Sequence, residues 1–73
     1  YGFDWLRPKT AHCTLITQKA TGAFKKCTFE KTGAFGLDLP YYTCTVSRRS
    51  ELIILRTESE CREAFETMQA NAP

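Results

Sequence analysis

Four cysteines, Cys13, Cys27, Cys44 and Cys61, carry the most distinctive chemistry of this 73-residue chain. Thiols can bridge, hold a metal or act as nucleophiles, and their spacing discriminates among the three. The intervening segments are 13, 16 and 16 residues long. A zinc knuckle needs two ligands a few residues apart, and no pair is that close. A Cys-x-x-Cys redox motif is absent for the same reason. An even count in so short a chain favours two disulfides formed in an oxidising compartment. Free thiols of a redox or metal-binding protein are the rival reading.

The single histidine, His12, adjoins Cys13. A nucleophilic pair needs a free thiolate within hydrogen-bond reach of the imidazole. Neighbours along a strand point to opposite faces, so this pair is badly placed. Asp4, Asp38 and Glu51 do not group into a general acid–base pair. Neither Ser47 nor Ser50 has the flanking glycines of a nucleophile elbow. The segment Thr32-Gly33-Ala34-Phe35-Gly36 has two glycines but no following Lys-Ser or Lys-Thr, so it is not a phosphate-binding loop. No catalytic residue, cofactor or metal site is expected, and the chain is not read as an enzyme.

Aromatic and basic residues are the other candidates. Phe24, Lys25, Lys26, Tyr41, Arg48 and Arg49 could form a stacking and phosphate-binding face. Lys25, however, shares a strand face with Cys27 and Phe29, and no ribonucleoprotein-type motif is present. Nucleic acid is therefore not an expected partner. Another protein is, because Tyr, Trp and Arg anchor most protein interfaces. Three candidate surfaces follow: the Phe3/Trp5/Leu6 arm with Trp5 foremost, the 31–40 loop with Phe35 and Leu37, and the outer sheet face around Tyr41 with the Arg48-Arg49 turn. The competing reading is that Trp5 and Leu37 plug the ends of a core.

These residues must be positioned by a thin scaffold. A domain this small buries roughly 60% of the surface that its unfolded chain exposes. Hydrophobic residues make up 42% of the chain and charged ones 25%, a globular balance. The longest apolar run is Leu52–Leu55, far short of the roughly 20 residues that span a bilayer. Residues 1–11 have no sustained period, and Pro8 argues against a regular element through them, so they read as an irregular arm. Residues 12–73 read as one small domain. Alternation predicts strands over His12–Gln18, Phe24–Glu30, Tyr41–Ser47 and Glu51–Arg56, the last apolar on both faces. Residues 20–23, 31–40 and 48–50 read as turns and a longer loop. Thr57 and Glu60 match a capping box, and Cys61, Ala64, Phe65 and Met68 form one apolar helical stripe.

The expected fold is α+β: a small four-stranded antiparallel β-meander with one C-terminal helix packed on one face, stabilised by disulfides. Cys13, Cys27 and Cys44 are expected on the sheet face that carries Leu15, Phe29, Tyr42 and Val46, with the helical Cys61 reaching that face. Setting Cys27 opposite Cys44 also sets Phe29 opposite Tyr42, a good cross-strand pair. That leaves Cys13 with Cys61, one of three possible connectivities.

Charge is uneven. Residues 1–56 carry nine basic and four acidic side chains, and residues 57–73 carry one basic and four acidic, within an overall net charge of +2. The basic part could steer an anionic partner, or the two parts could offset each other on folding. The chain begins at Tyr1 and shows no signal segment, which suggests a removed leader or a longer precursor. Asn71, the one Asn, precedes Ala72-Pro73 and is no glycosylation acceptor. The expected function is that of a non-catalytic binding or accessory domain in the periplasm or outside the cell, with an enzyme inhibitor as its sharpest form. A structural domain of a larger cell-envelope lipoprotein, anchored through an upstream segment, is the alternative, beside the redox or metal protein named above.

Overall fold

The computed structural model describes residues 1–7, 9–31, 33 and 37–71, the last by its backbone alone. The elements run β1 (Gly2–Asp4), α1 (Gln18–Thr21), β2 (Lys26–Glu30), β3 (Tyr41–Ser47), β4 (Ser50–Ile54) and α2 (Glu58–Asn71). The four strands form one antiparallel sheet in the order β1-β4-β3-β2. The C-terminal helix packs on it, and two disulfides, Cys13–Cys61 and Cys27–Cys44, hold the whole. The consecutive part of the sheet is β2-β3-β4, and β1 adds on beyond β4.

The first strand is not the one the alternation suggests. Residues 12–18 make a single bridge, Thr14 to Gly2, with both backbone bonds at 2.9 Å. Leu15, expected inward, is 63% exposed. Thr17 turns the backbone away instead: its side chain accepts the N–H of Ala20 at 3.2 Å and caps the one-turn helix α1. The edge place beside β4 goes to the supposed arm, because Phe3 inserts there and is fully buried. Gly2 permits the close approach, since a Cβ at that position would meet the Ile53 carbonyl at 2.7 Å. Bonds from Leu55 N–H to the Tyr1 carbonyl and from Trp5 N–H to the Glu51 carbonyl extend the ladder at both ends. Pro8, expected to keep regular structure out of this segment, lies outside the described residues, and β1 ends four positions before it.

The other elements lie where the pattern puts them, with small shifts at their ends. β4 is central, with β1 on one side and β3 on the other. Thr57 Oγ1 accepts the Glu60 N–H at 3.1 Å, as a cap should. The reciprocal half of the expected capping box is replaced: the Glu60 carboxylate takes Arg56 at 2.8 Å. That hydrogen bond, with the Coulomb attraction behind it, raises the guanidinium pKa above its ordinary value. On α2, Cys61, Ala64 and Met68 are buried and Phe65 half-buried, the predicted stripe. They meet Phe3 and Ile53 of the sheet and Leu55 just after β4, and Phe65 sets its ring edge-on to Phe3 at 5.4 Å.

The register separates the two sheet faces. Phe3, Ile53 and Thr43 form one row beneath the helix. The adjacent rows, Cys27–Cys44–Leu52–Asp4 and Phe29–Tyr42–Ile54–Gly2, must point to the opposite face. The cysteines therefore pair as expected, but not on a common face. Cys27–Cys44 staples β2 to β3 on the face away from the helix, with its Cα atoms 4.1 Å apart. Cys13 lies on no strand and joins the helix directly, packing with Cys61 against the core.

Candidate binding surface

Antiparallel pairing brings distant basic residues to one end of the sheet. β1 runs out at Asp4 beside the start of β4, which begins just after the Arg48-Arg49 turn. The first residue of β2, Lys26, pairs with Thr45 near the close of β3, at the same end. Trp5, Leu6, Arg7 and Lys9 follow β1, Lys25 and Lys26 open β2, and Arg48 and Arg49 form the β3–β4 turn. Six of the chain's ten basic residues thus gather at one end.

Two acidic residues share that end, and both are engaged in holding it together. Asp4 Oδ1 accepts the N–H groups of Leu6 at 3.1 Å and Glu51 at 3.3 Å. Asp4 Oδ2 accepts the Ser50 hydroxyl at 2.7 Å and sits 3.8 Å from Arg7 Nε. Arg7 Nε also donates to the Arg49 carbonyl at 3.2 Å, tying the segment after β1 to the turn. The Glu51 carboxylate accepts Trp5 Nε1 at 2.7 Å and the Thr45 hydroxyl at 3.2 Å. The indole is thereby fixed at its polar edge while 37% of the residue stays exposed. Among the described residues no carboxylate lies within the 4.0 Å of an ion pair from Lys9, Lys25, Lys26, Arg48 or Arg49. Leu6, Arg7, Arg48 and Arg49 line one open depression, and Leu6, Arg7, Lys9 and Thr10 line another beside it. Leu6 is 39% exposed between them.

Trp5, Arg48 and Arg49 therefore lie at the same end of the sheet, with Arg48 and Arg49 lining the depression beside Leu6 and the Trp5 indole held by Glu51. Leu37 and Tyr41 are not part of that surface. Both are half-buried against the core: Leu37 as in its plugging role, and Tyr41, expected on the outer face, on the helix side, in phase with Thr43 along β3. Phe35 lies outside the described residues. Arg7 and Lys9 join the surface without having been singled out in the sequence. Their signal was the basic-aromatic composition of residues 5–9, which has no period to read.

The far end of the outer face holds a second feature. Phe29, Pro40, Tyr41, Tyr42, Ile54, Leu55 and Arg56 line a shallow groove of about 130 Å³. Phe29 and Tyr42 pair across strands as expected, with centroids 5.0 Å apart, yet both are about half exposed, since no described element lies over them.

His12 is exposed, and Cys13 beside it is bridged, so that pair holds no free thiol. Among the described residues no three His, Cys, Asp or Glu side chains come together as ligands for a metal ion. No described helix is long and apolar enough to cross a membrane. Compared with protein-family models, with curated proteins and with solved structures, the chain gives no match to any of the three. Two disulfides in so small a domain are consistent with an oxidising compartment.

Proposed function

We propose that the chain is a non-catalytic binding domain that works in the periplasm or outside the cell and docks on an acidic surface of another protein. The observation that carries this reading is the cluster of cations at the end of the sheet that holds Trp5 and Leu6, of which Lys9, Lys25, Lys26, Arg48 and Arg49 have no ion-pair partner among the described residues. Arg48 and Arg49 supply donors suited to carboxylates, Trp5 and Leu6 supply apolar area, and the field of the cluster steers the encounter. The bonds from Asp4 and Glu51 hold this end in place before binding, which lowers the entropy lost on association. Such a rigid surface suits an inhibitor that seats its basic end in the acidic cleft of an enzyme.

The test is cross-linking in the native compartment, comparing the wild type with the Arg48→Glu/Arg49→Glu variant. Both side chains are exposed, so the variant is expected to fold, which its circular dichroism checks. The wild type is expected to yield a discrete adduct that weakens steeply with salt, because the exposed charges are screened beyond about 10 Å at 0.1 M ionic strength. The variant is expected to lose it. An adduct of equal yield with the variant overturns the proposal.

A further inference from the structure

The β2 edge of the sheet is open. All five residues from Lys26 to Glu30 are exposed, and among the described residues no strand lies beyond them. Cys27 and Cys44, with Cα atoms 4.1 Å apart, have the spacing of a non-hydrogen-bonded pair. Cys27, and Phe29 two residues on, therefore direct their backbone N–H and C=O groups away from β3, toward the free edge. A row of this kind is a template for another strand.

From this edge we infer that β2 pairs with the β2 of a second copy of the chain, antiparallel about a two-fold axis at Thr28. The strand reads Lys-Cys-Thr-Phe-Glu, and reversal about its centre makes it complementary to itself. Lys26 faces Glu30 of the second copy and Glu30 faces its Lys26, one opposite-charge pair on each side of the axis. Cys27 faces Phe29, and each such pair exchanges two backbone hydrogen bonds through the outward groups. This is the isologous geometry of a closed dimer. The half-exposed Phe29 ring then lies beside the second copy's Cys27–Cys44 bridge, and the two outer faces join into one eight-stranded surface.

A lone edge lysine guards against strand pairing. Here Glu30 stands at the symmetry-related position and turns that guard into a selector for its own kind. Lys25 and Lys31 oppose each other just beyond the strand ends, where both are exposed and free to swing into water. An interface of one short strand falls in the weak class, so self-association is expected with a dissociation constant between about 10 µM and 1 mM.

Sedimentation equilibrium at low salt on the oxidised protein tests this with four variants. Lys26→Glu sets Glu against Glu, and Glu30→Lys sets Lys against Lys; each is expected to remain monomeric. An equimolar mixture of the two restores both opposite-charge pairs and is expected to form the heterodimer. The Lys26→Glu/Glu30→Lys double variant is expected to self-associate like the wild type. Arg62→Glu makes the same change in net charge as Lys26→Glu, but on the exposed side of α2, and is expected to leave the dimer intact. A wild type that stays monomeric to about 1 mM, single variants that associate as well as it does, or a mixture that does not associate would each overturn the inference. So would loss of the dimer in Arg62→Glu. The basic end is tested separately by Arg48 and Arg49, so the two readings fail independently.

Discussion

The two edges of this sheet are handled in opposite ways. β1, three residues long, is the shorter edge strand, yet Gly2 and Phe3 are buried. Phe3 anchors it in the core, and Thr14 bonds to both polar groups of Gly2. The neighbouring Cys13 is locked to α2, so the covering segment cannot lift away. β2 is longer and wholly exposed. Its disulfide staples it to β3 but covers nothing, and its core-side row offers Lys26, Thr28 and Glu30 in place of an apolar anchor. Closing an edge here takes one large buried side chain and a tethered neighbour, not a long strand. The two bridges differ accordingly, one tying a loose segment to the core and the other tying an exposed strand to its partner.

The comparison can be broken at four points, from the largest effect down. Replacing Cys13 and Cys61 by Ala removes a link across 48 residues, for which chain entropy alone gives about 4 kcal/mol. The buried Cys61 and half-buried Cys13 add packing, and a small domain has a total stability of only about 5 kcal/mol to lose. Circular dichroism during thermal unfolding should show little cooperative structure left. Phe3→Ala should cost about 3 to 4 kcal/mol in urea denaturation, because it empties a fully enclosed site. A loss below about 1 kcal/mol would mean that β1 is not anchored by this ring.

Cys27→Ala/Cys44→Ala opens a link across 17 residues, worth at most about 3 kcal/mol. Amide exchange should speed up over Lys26–Glu30 and stay slow in β4, since β2 contributes no residue to the buried core cluster. If this pair proved as costly as Cys13/Cys61, the contrast between the edges would fail. Gly2→Ala should destabilise by about 1 to 2 kcal/mol, because the new methyl meets the Ile53 carbonyl. The same denaturation series would show no change if β1 can slide outward without loss.

Much of this was legible in the residues. The stripe Cys61, Ala64, Phe65 and Met68, begun by Thr57, gave the helix, and the alternation of residues 41–47 gave β3 with its observed bounds. Setting Cys27 opposite Cys44 also set Phe29 opposite Tyr42, and that is the observed register. The first strand was misread because His12–Gln18 alternates better than Gly2–Asp4 does. Alternation measures whether a segment could bury one face; it does not decide which of two segments reaches the edge first. The basic surface was half visible: Trp5, Arg48 and Arg49 stood out by type, but their company with Arg7 and Lys9 depends on β1 lying against β4.

By itself, the sequence determined the local geometry and the chemistry on offer: which stretches coil or extend, four thiols whose even count and wide spacing favour pairing, and a surplus of cations before residue 57. Those follow from backbone sterics, side-chain period and charge, all of them short-range. Tertiary structure decided which segment became the edge strand, which sheet face the helix covered and which charges came to stand together. Each of those choices is a competition between distant segments for the same few buried places. Phe3 won the place beside Ile53 because its ring fills the space under Phe65 and Gly2 lets the backbone close in.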